Sequence, residues 1–422
     1  MKRLLSVTAL SGLLTLLRML TGFIISKVIA IYTGPTGLAM LGQFQNAIGI
    51  VNGLVNAPGS AGVVRYTAEN INNGYDKCSP WWKASLQWVL GILLIIVPIV
   101  CVFSSSISIW LFDNNEYYWL IIVTAILLPL TAINTLITSI INGQQKYKRY
   151  ILLGAISTVV STIVMIFLIY LSNIKGALTA AAINSSVSGL IMIIASLKQP
   201  WFKLKYWWGT TELEHKKKIG EYMLMAVTTA LTMPLSLIII RNILVENVGW
   251  DLAGQWQAVW KISDVYLSVI TISLSTYYLP KLASIKSDSL ILKEVNKTVI
   301  VIMPIITVMA LIVYFTRDLS ISILFTSDFH QARDLFKYQL AGDVVKMLSW
   351  MYAYILISKG VTFYFVITEV ISSLVFICLS YFLIGIYGVE GVTIAYFINY
   401  LVYLIMILFV LHLNFKGKDS FK

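Results

Sequence analysis

Apolar runs long enough to cross a bilayer recur along the whole chain, and only short polar breaks separate them. A membrane-spanning helix needs about 20 mostly apolar residues. The pattern predicts twelve such helices, at 4–31, 38–64, 84–110, 117–142, 151–171, 177–197, 220–244, 251–280, 298–316, 334–358, 362–384 and 391–413. Two of them, 38–64 and 251–280, are richer in Gly, Asn, Gln and Ser than the rest. No break is long enough for a separate soluble domain. The opening Met1-Lys2-Arg3 and the apolar stretch behind it look like a signal peptide. Arg18 interrupts that stretch, no clear small-residue cleavage site follows, and further spans continue, so the reading is an uncleaved first helix.

The chain is 58% hydrophobic and only 12% charged over 422 residues, with a mean hydropathy of +0.83. A soluble domain carries about 25% charged residues. Too little polar surface remains to solvate a globule of this size, so the expected fold class is an all-α polytopic membrane protein with lipid as its solvent. Cys78, Cys101 and Cys378 are scattered without metal or redox spacing and predict no structural disulfide. The net charge of +12 raises nucleic acid as a partner, but its distribution argues against one. With the N-terminus inside, the outer loops hold only Lys175, Arg317 and Arg333, while the inner segments hold most of the remaining Lys and Arg. Cytoplasmic loops carry that excess, so both termini are expected in the cytoplasm. Trp81, Trp82, Trp207 and Trp208 flank inner loops, where aromatic rings anchor at the interface.

The longest inner loop, 198–219, lies at the midpoint of the chain and ends in Lys216-Lys217-Lys218. It reads as an amphipathic cytoplasmic linker between an N-terminal six-helix lobe (1–197) and a C-terminal six-helix lobe (220–413), with a cytoplasmic tail at 414–422. Docking on anionic lipid is one role for it; a stop-transfer flank is the plainer one. An internal repeat supports two lobes. Gly42-Gln43-Phe44-Gln45 recurs as Gly254-Gln255-Trp256-Gln257, and Leu190-Ile191-Met192-Ile193 as Leu404-Ile405-Met406-Ile407. Between these, Gly176, Ala180 and Ile183-Asn184 recur as Gly391, Ala395 and Ile398-Asn399. Six helices per half bring both halves in from the same side, so the repeat is parallel, with a pseudo-two-fold along the membrane normal.

Polar residues within the spans carry the candidate chemistry, because ions inside a membrane are costly and usually face a cavity or each other. Ser11, Thr15, Arg18 and Gly22 share one face of the first span. Lys27 points elsewhere and lies close enough to the outer end to snorkel. Lys261 with Asp264, and Asp343 with Lys346, are spaced three apart, so each pair either neutralises itself to hold helices together or serves the substrate directly. Glu369 has no partner nearby in sequence and either pairs with a distant cation or accepts a proton. Arg241 follows Pro234 near the outer end of the seventh span, where snorkelling is the plainer reading. Arg18, Lys261 and Lys346 oppose Asp264, Asp343 and Glu369, and Lys27 and Arg241 tip the sum positive. Surplus cations suit an anionic, phosphate-bearing substrate. Gln43, Gln45, Asn46 and Asn52 in the second span, and Trp256, Gln257, Trp260 and Tyr266 in the eighth, offer amides and ring faces to sugars, or else act as glue between helices. No Walker A, metalloprotease or nucleophile-elbow motif is present. His215, His330 and His412 lie near different membrane boundaries, so no metal or catalytic triad is expected. Energy then comes from an ion gradient such as H⁺ or Na⁺, from substrate flux, or from a separate protein.

These residues bring a family into view. The chain resembles the Wzx-type O-antigen and lipid-linked oligosaccharide flippases of the multidrug/oligosaccharidyl-lipid/polysaccharide exporter superfamily over nearly its whole length. The resemblance rests on Gly34-Pro35, Gly37-Leu38, Gly42-Gln43-Phe44-Gln45, Gly62-Val63 and Tyr66, and on Gly254, Trp256-Gln257, Ile262-Ser263-Asp264 and Tyr266-Leu267. It is most specific in Arg317-Asp318, Leu324-Phe325, Phe329, Arg333-Asp334-Leu335-Phe336, Gln339-Leu340, Gly342-Asp343 and Lys346. It implies a flippase in the bacterial inner membrane. The cargo would be an undecaprenyl-diphosphate-linked O-antigen repeat unit for lipopolysaccharide biosynthesis, moved by alternating access, with an O-antigen polymerase and a chain-length regulator as partners besides membrane lipid. Arg18, Lys27, Arg241, Asp264, Asp343, Lys346 and Glu369 stand in the helices that carry the family's charged cavity residues; Lys261 matches no residue typical there. A cation antiporter of the same superfamily would line its cavity with carboxylates. A membrane-embedded polymerase would carry a large outer loop, and the longest outer segment here, 317–333, is short.

Overall fold

The computed structural model describes residues 2–274, 278–285, 287–359 and 361–419, and every regular element among them is helical. In chain order these are α1 (Lys2–Asn56), α2 (Ala61–Asn70), α3 (Tyr75–Val102), α4 (Ser104–Phe112), α5 (Tyr118–Gly143), α6 (Tyr147–Ser196) and α7 (Leu204–Trp207). There follow α8 (Leu213–Ser273), α9 (Leu279–Ser284), α10 (Asp288–Phe315), α11 (Arg317–Leu324), α12 (Ala332–Ser358), α13 (Thr362–Tyr387) and α14 (Val389–Asp419). Among the described residues, nine helices are long and apolar enough to cross a membrane. Three of these are broken internally: α1 at Gly34, α6 at Ser172 and Asn173, and α8 at Gly249. Counting each broken helix as two spans accounts for the twelve that the apolar pattern predicts. Gly34 (φ 63°) and Gly249 (φ 84°) take left-handed backbone that a side chain would strain, which is why glycine stands at both turns. Large apolar side chains such as Leu94, Phe167, Ile300 and Phe382 point outward and are more than half exposed, the surface expected of a protein solvated by lipid.

The repeat is visible in packing as well as in sequence. A Cβ on Gly176 would fall 1.8 Å from the carbonyl oxygen of Leu168, and one on Gly391 would fall 2.1 Å from that of Leu383. Each glycine lets a helix press against the backbone of the helix just before it, at the same place in the two halves.

The chain divides into two compact units. The first holds the residues up to Leu235 apart from Gly34–Ala39, and the second holds Gly34–Ala39 and the residues from Ser236 onward. The first part of the seventh span thus packs with the N-terminal unit, beyond the expected boundary at 220. Close backbone approach explains it: a Cβ on Gly53 of α1 would lie 2.2 Å from the Ala230 Cβ of α8. The linker packs on the same unit. Trp201 and Tyr206 are buried in a cluster with Trp82, Val63, Leu136, Ile140 and Met192. The Ser79 hydroxyl donates to the Tyr206 carbonyl at 2.8 Å, and Thr211 donates to that of Pro80 at 3.0 Å. The opposite side of the linker exposes Leu204 and Trp208 beside Lys203 and Lys205. Within the second unit, α12 packs against α10 and α14, and α13 against α14. Gly254 of α8 meets Pro35, whose carbonyl oxygen would lie 2.1 Å from an added Cβ.

Overpacking a tight contact costs about 1–3 kcal/mol or more. Gly176→Val and Gly391→Val should each lower the thermal midpoint of the purified protein by several degrees. Gly385→Ala, whose Cβ would meet nothing within 4 Å, should leave it unchanged.

Candidate functional site

Each unit contains its own polar interior, and the two differ in charge. In the N-terminal unit a cavity of about 370 Å³ opens among α1, α5 and α6. Arg18, Thr21 and Gly22 line it from α1, Asn134 and Thr138 from α5, and Tyr150, Ser157, Thr158, Ser161, Thr162, Asn184 and Ser188 from α6. Gly154 of α6 packs closely on α1: a Cβ there would lie 3.1 Å from the Leu14 side chain and 3.5 Å, an ordinary contact, from a terminal nitrogen of Arg18. Arg18 is exposed to the cavity, and no carboxylate forms an ion pair with it among the described residues. None of the six spans predicted for this half contains an Asp or Glu. The hydroxyls of Ser157 and Ser161 are buried without a protein partner. A guanidinium beside unsatisfied hydroxyls and amides is chemistry for an anion that carries further hydrogen-bonding groups. Lys27 is half-buried on the same helix and does not line this cavity.

The C-terminal unit gathers charge of both signs. Asp343 of α12 is fully buried and accepts hydrogen bonds from Tyr266 at 2.7 Å and Tyr396 at 2.9 Å. The Tyr396 ring fits because position 342 is glycine; a Cβ there would lie 2.4 Å from the ring. Glu369 of α13 accepts from Tyr403 at 2.7 Å. Lys346 is buried, and its ammonium acts electrostatically on Asp264, Asp343 and Glu369 without a direct ion pair among the described residues. Lys261 is half-buried and Asp264 exposed, and these two also interact only at longer range. The three acids equal Lys261, Lys346 and Arg241 in number within this unit.

Other residues singled out in the sequence fall in different places. Arg241 is 1% exposed, bonds the Gln257 side chain and lies 5.4 Å from the centre of the Trp256 ring. It is enclosed within its unit and does not snorkel. Trp256 and Gln257 are buried with it, and Gln43 is buried in its own unit. Asn52 accepts a hydrogen bond from Thr131 at 3.1 Å, so its amide joins α1 to α5. Gln45 is exposed and Asn46 half-buried, leaving both accessible. Trp260 and Tyr266 border the acid cluster. The hydroxyl set of α6 is not among the residues that the sequence pattern singles out. Its signal is present all the same, because Ser157, Thr158, Ser161 and Thr162 recur at helical spacing in the fifth span. The repeat relates Ser157 and Asn184 to Ser372 and Asn399. In the C-terminal unit that pair is closed by a 3.1 Å hydrogen bond, whereas in the N-terminal unit both residues line the cavity.

Hydrogen bonds to a charged group contribute about 1.5–3 kcal/mol. Tyr396→Phe should lower the thermal midpoint of the purified protein more than Tyr387→Phe, a substitution at an exposed ring.

Residues 50–334 match the family described as polysaccharide biosynthesis protein. The lipid III flippase of Escherichia coli (strain K12) is 28% identical over 393 residues, which cover 92% of this chain and 93% of that protein. Among solved structures, an inward-facing multidrug resistance MATE family transporter of the MOP superfamily aligns with a TM-score of 0.80 and 14% identity, over 97% of this chain and 99% of that one. The lipid II flippase MurJ, in an inward closed conformation, aligns with a TM-score of 0.73 and 16% identity, over 97% of this chain and 87% of that one. The chain has the fold of these transporters, and it belongs to the polysaccharide biosynthesis protein family.

Proposed function

We propose that this protein is a flippase for lipid-linked oligosaccharide, carrying undecaprenyl-diphosphate-linked O-antigen repeat units from the inner to the outer leaflet of the bacterial inner membrane. The observation that carries the reading is Arg18, a cation without an acid partner among the described residues, in a cavity lined by hydroxyls and amides. A diphosphate seeks such a guanidinium, because charge-assisted hydrogen bonds strengthen where water is scarce. The surrounding Ser, Thr and Asn side chains suit the hydroxyl groups of a sugar attached to it. A cavity of about 370 Å³ holds only the first part of an oligosaccharide, so the polyprenyl tail stays in lipid and the remaining sugars lie beyond. Family membership and the lipid III flippase relative support a lipid-linked sugar as cargo, and at 28% identity the repeat unit is set by this chain's own residues.

In this reading both termini face the cytoplasm, as the distribution of Lys and Arg demands. The protein alternates between inward and outward access, and hands its cargo to an O-antigen polymerase and a chain-length regulator. The acids Asp264, Asp343 and Glu369 couple the cycle to H⁺ or Na⁺, because they are the carboxyl groups that lie deep within spans.

Arg18→Ala should abolish surface O-antigen and strand lipid-linked repeat units at the inner leaflet with the protein level unchanged. Arg18→Lys, which keeps the charge but not the planar fork, should retain part of the export. Analysis of lipid-linked intermediates together with surface polysaccharide reads both, and normal export by Arg18→Ala would remove the cavity from the mechanism.

A further inference from the structure

The Lys346 ammonium sits among four aromatic rings. Their centres lie at 5.0 Å (Trp350), 5.6 Å (Tyr400), 5.8 Å (Trp260) and 5.9 Å (Tyr396). The rings come from α8, α12 and α14, and they hold one another edge to face: Trp260 against Tyr396 at 5.3 Å, and Tyr396 against Tyr400 at 4.9 Å. Asp343, Asp264 and Glu369 lie within electrostatic reach. Aromatic faces around a cation, with carboxylates further out, are how proteins bind organic ammonium ions. Here the ammonium is a side chain of the protein itself. The Arg18 cavity has the reverse character, with hydroxyls and amides in place of a ring cage and no acid within its spans.

We propose that the C-terminal unit contains an organic-cation site that Lys346 permanently occupies, so that this lysine, and not the shape of the pocket, keeps alkylammonium and quaternary ammonium ions out. The lysine performs two tasks at once. It supplies the counter-charge without which three acids would stand together in a low-dielectric interior. It also fills the ring cage that would otherwise accept a foreign cation. Lys346→Ala removes the aminopropyl arm beyond Cβ and should leave a space of matching length, still lined by the rings and still negative. A primary alkylammonium of that length is then the best occupant, because its head replaces the lost charge and its stem the lost methylenes. This inference does not depend on the cargo proposed above, since it concerns only what one unit excludes.

The test uses the full-length protein, purified with and without Lys346→Ala and titrated with n-propylammonium or tetraethylammonium at constant ionic strength. Thermal unfolding and tryptophan fluorescence are the readouts, Trp260 and Trp350 both facing the site. The variant should melt below the wild type and recover saturably with n-propylammonium, at an affinity about tenfold or more above any response of the wild type. Lys346→Arg, which keeps a tethered cation, should resemble the wild type. If Lys346→Ala accumulates only when n-propylammonium is present during expression and purification, that dependence supports the proposal. If it does not accumulate at all, the double variant Lys346→Ala/Glu369→Gln, which removes one acid with the lysine, is titrated instead and should still bind. Equal responses of wild type and variant, or a folded variant without saturable binding, would overturn the proposal.

Discussion

A charge inside a hydrocarbon slab must be solvated by the protein, and each unit of this chain meets that demand in its own way. The C-terminal unit surrounds Lys346 with rings and sets three acids around it, so its interior charge closes on itself. The N-terminal unit leaves Arg18 at a cavity where hydroxyls and amides replace water. Of the charged span residues singled out in the sequence, Arg18 and Lys27 lie in the N-terminal unit, and the three acids lie in the C-terminal unit with Lys261, Lys346 and Arg241. Every functional statement above depends on that division.

Much of the fold could be read directly from the chain. Hydropathy marks the spans, and Gly34 and Gly249 mark two of the turns between consecutive spans, because only glycine takes those backbone angles without strain. The repeated Gly176 and Gly391 prove to be contact glycines in equivalent places. The site was less legible. A sequence shows which residues share a helical face, but not whether that face opens on a cavity or on another helix. Asn52 and Thr131 are far apart in the chain, so nothing local announces that the amide is already bonded. Arg241 looks like a snorkelling residue by position, and its enclosure by Gln257 and Trp256 depends on the return of the chain at Gly249. The three-residue spacing of Asp343 and Lys346 suggests a simple pair, whereas the acid is satisfied by two tyrosines and the lysine by rings.

The repeat clarifies how one architecture came to hold two chemistries. Ser157 and Asn184 correspond to Ser372 and Asn399, and only the second pair is bonded to itself. Duplicated positions have thus been kept open in one half and closed in the other. The fold shared with MATE transporters and with MurJ says nothing about cargo by itself, since one fold hosts many functions. The residues lining each interior must decide it: hydroxyls and amides beside Arg18 in one unit, rings and acids around Lys346 in the other.

The most direct measurement is a structure of the full-length protein with undecaprenyl diphosphate bound. The account predicts density for the two phosphorus atoms beside the Arg18 guanidinium, among the hydroxyls of α6. Phosphate density beside Lys346, with the Arg18 cavity unchanged from the ligand-free protein, would contradict it.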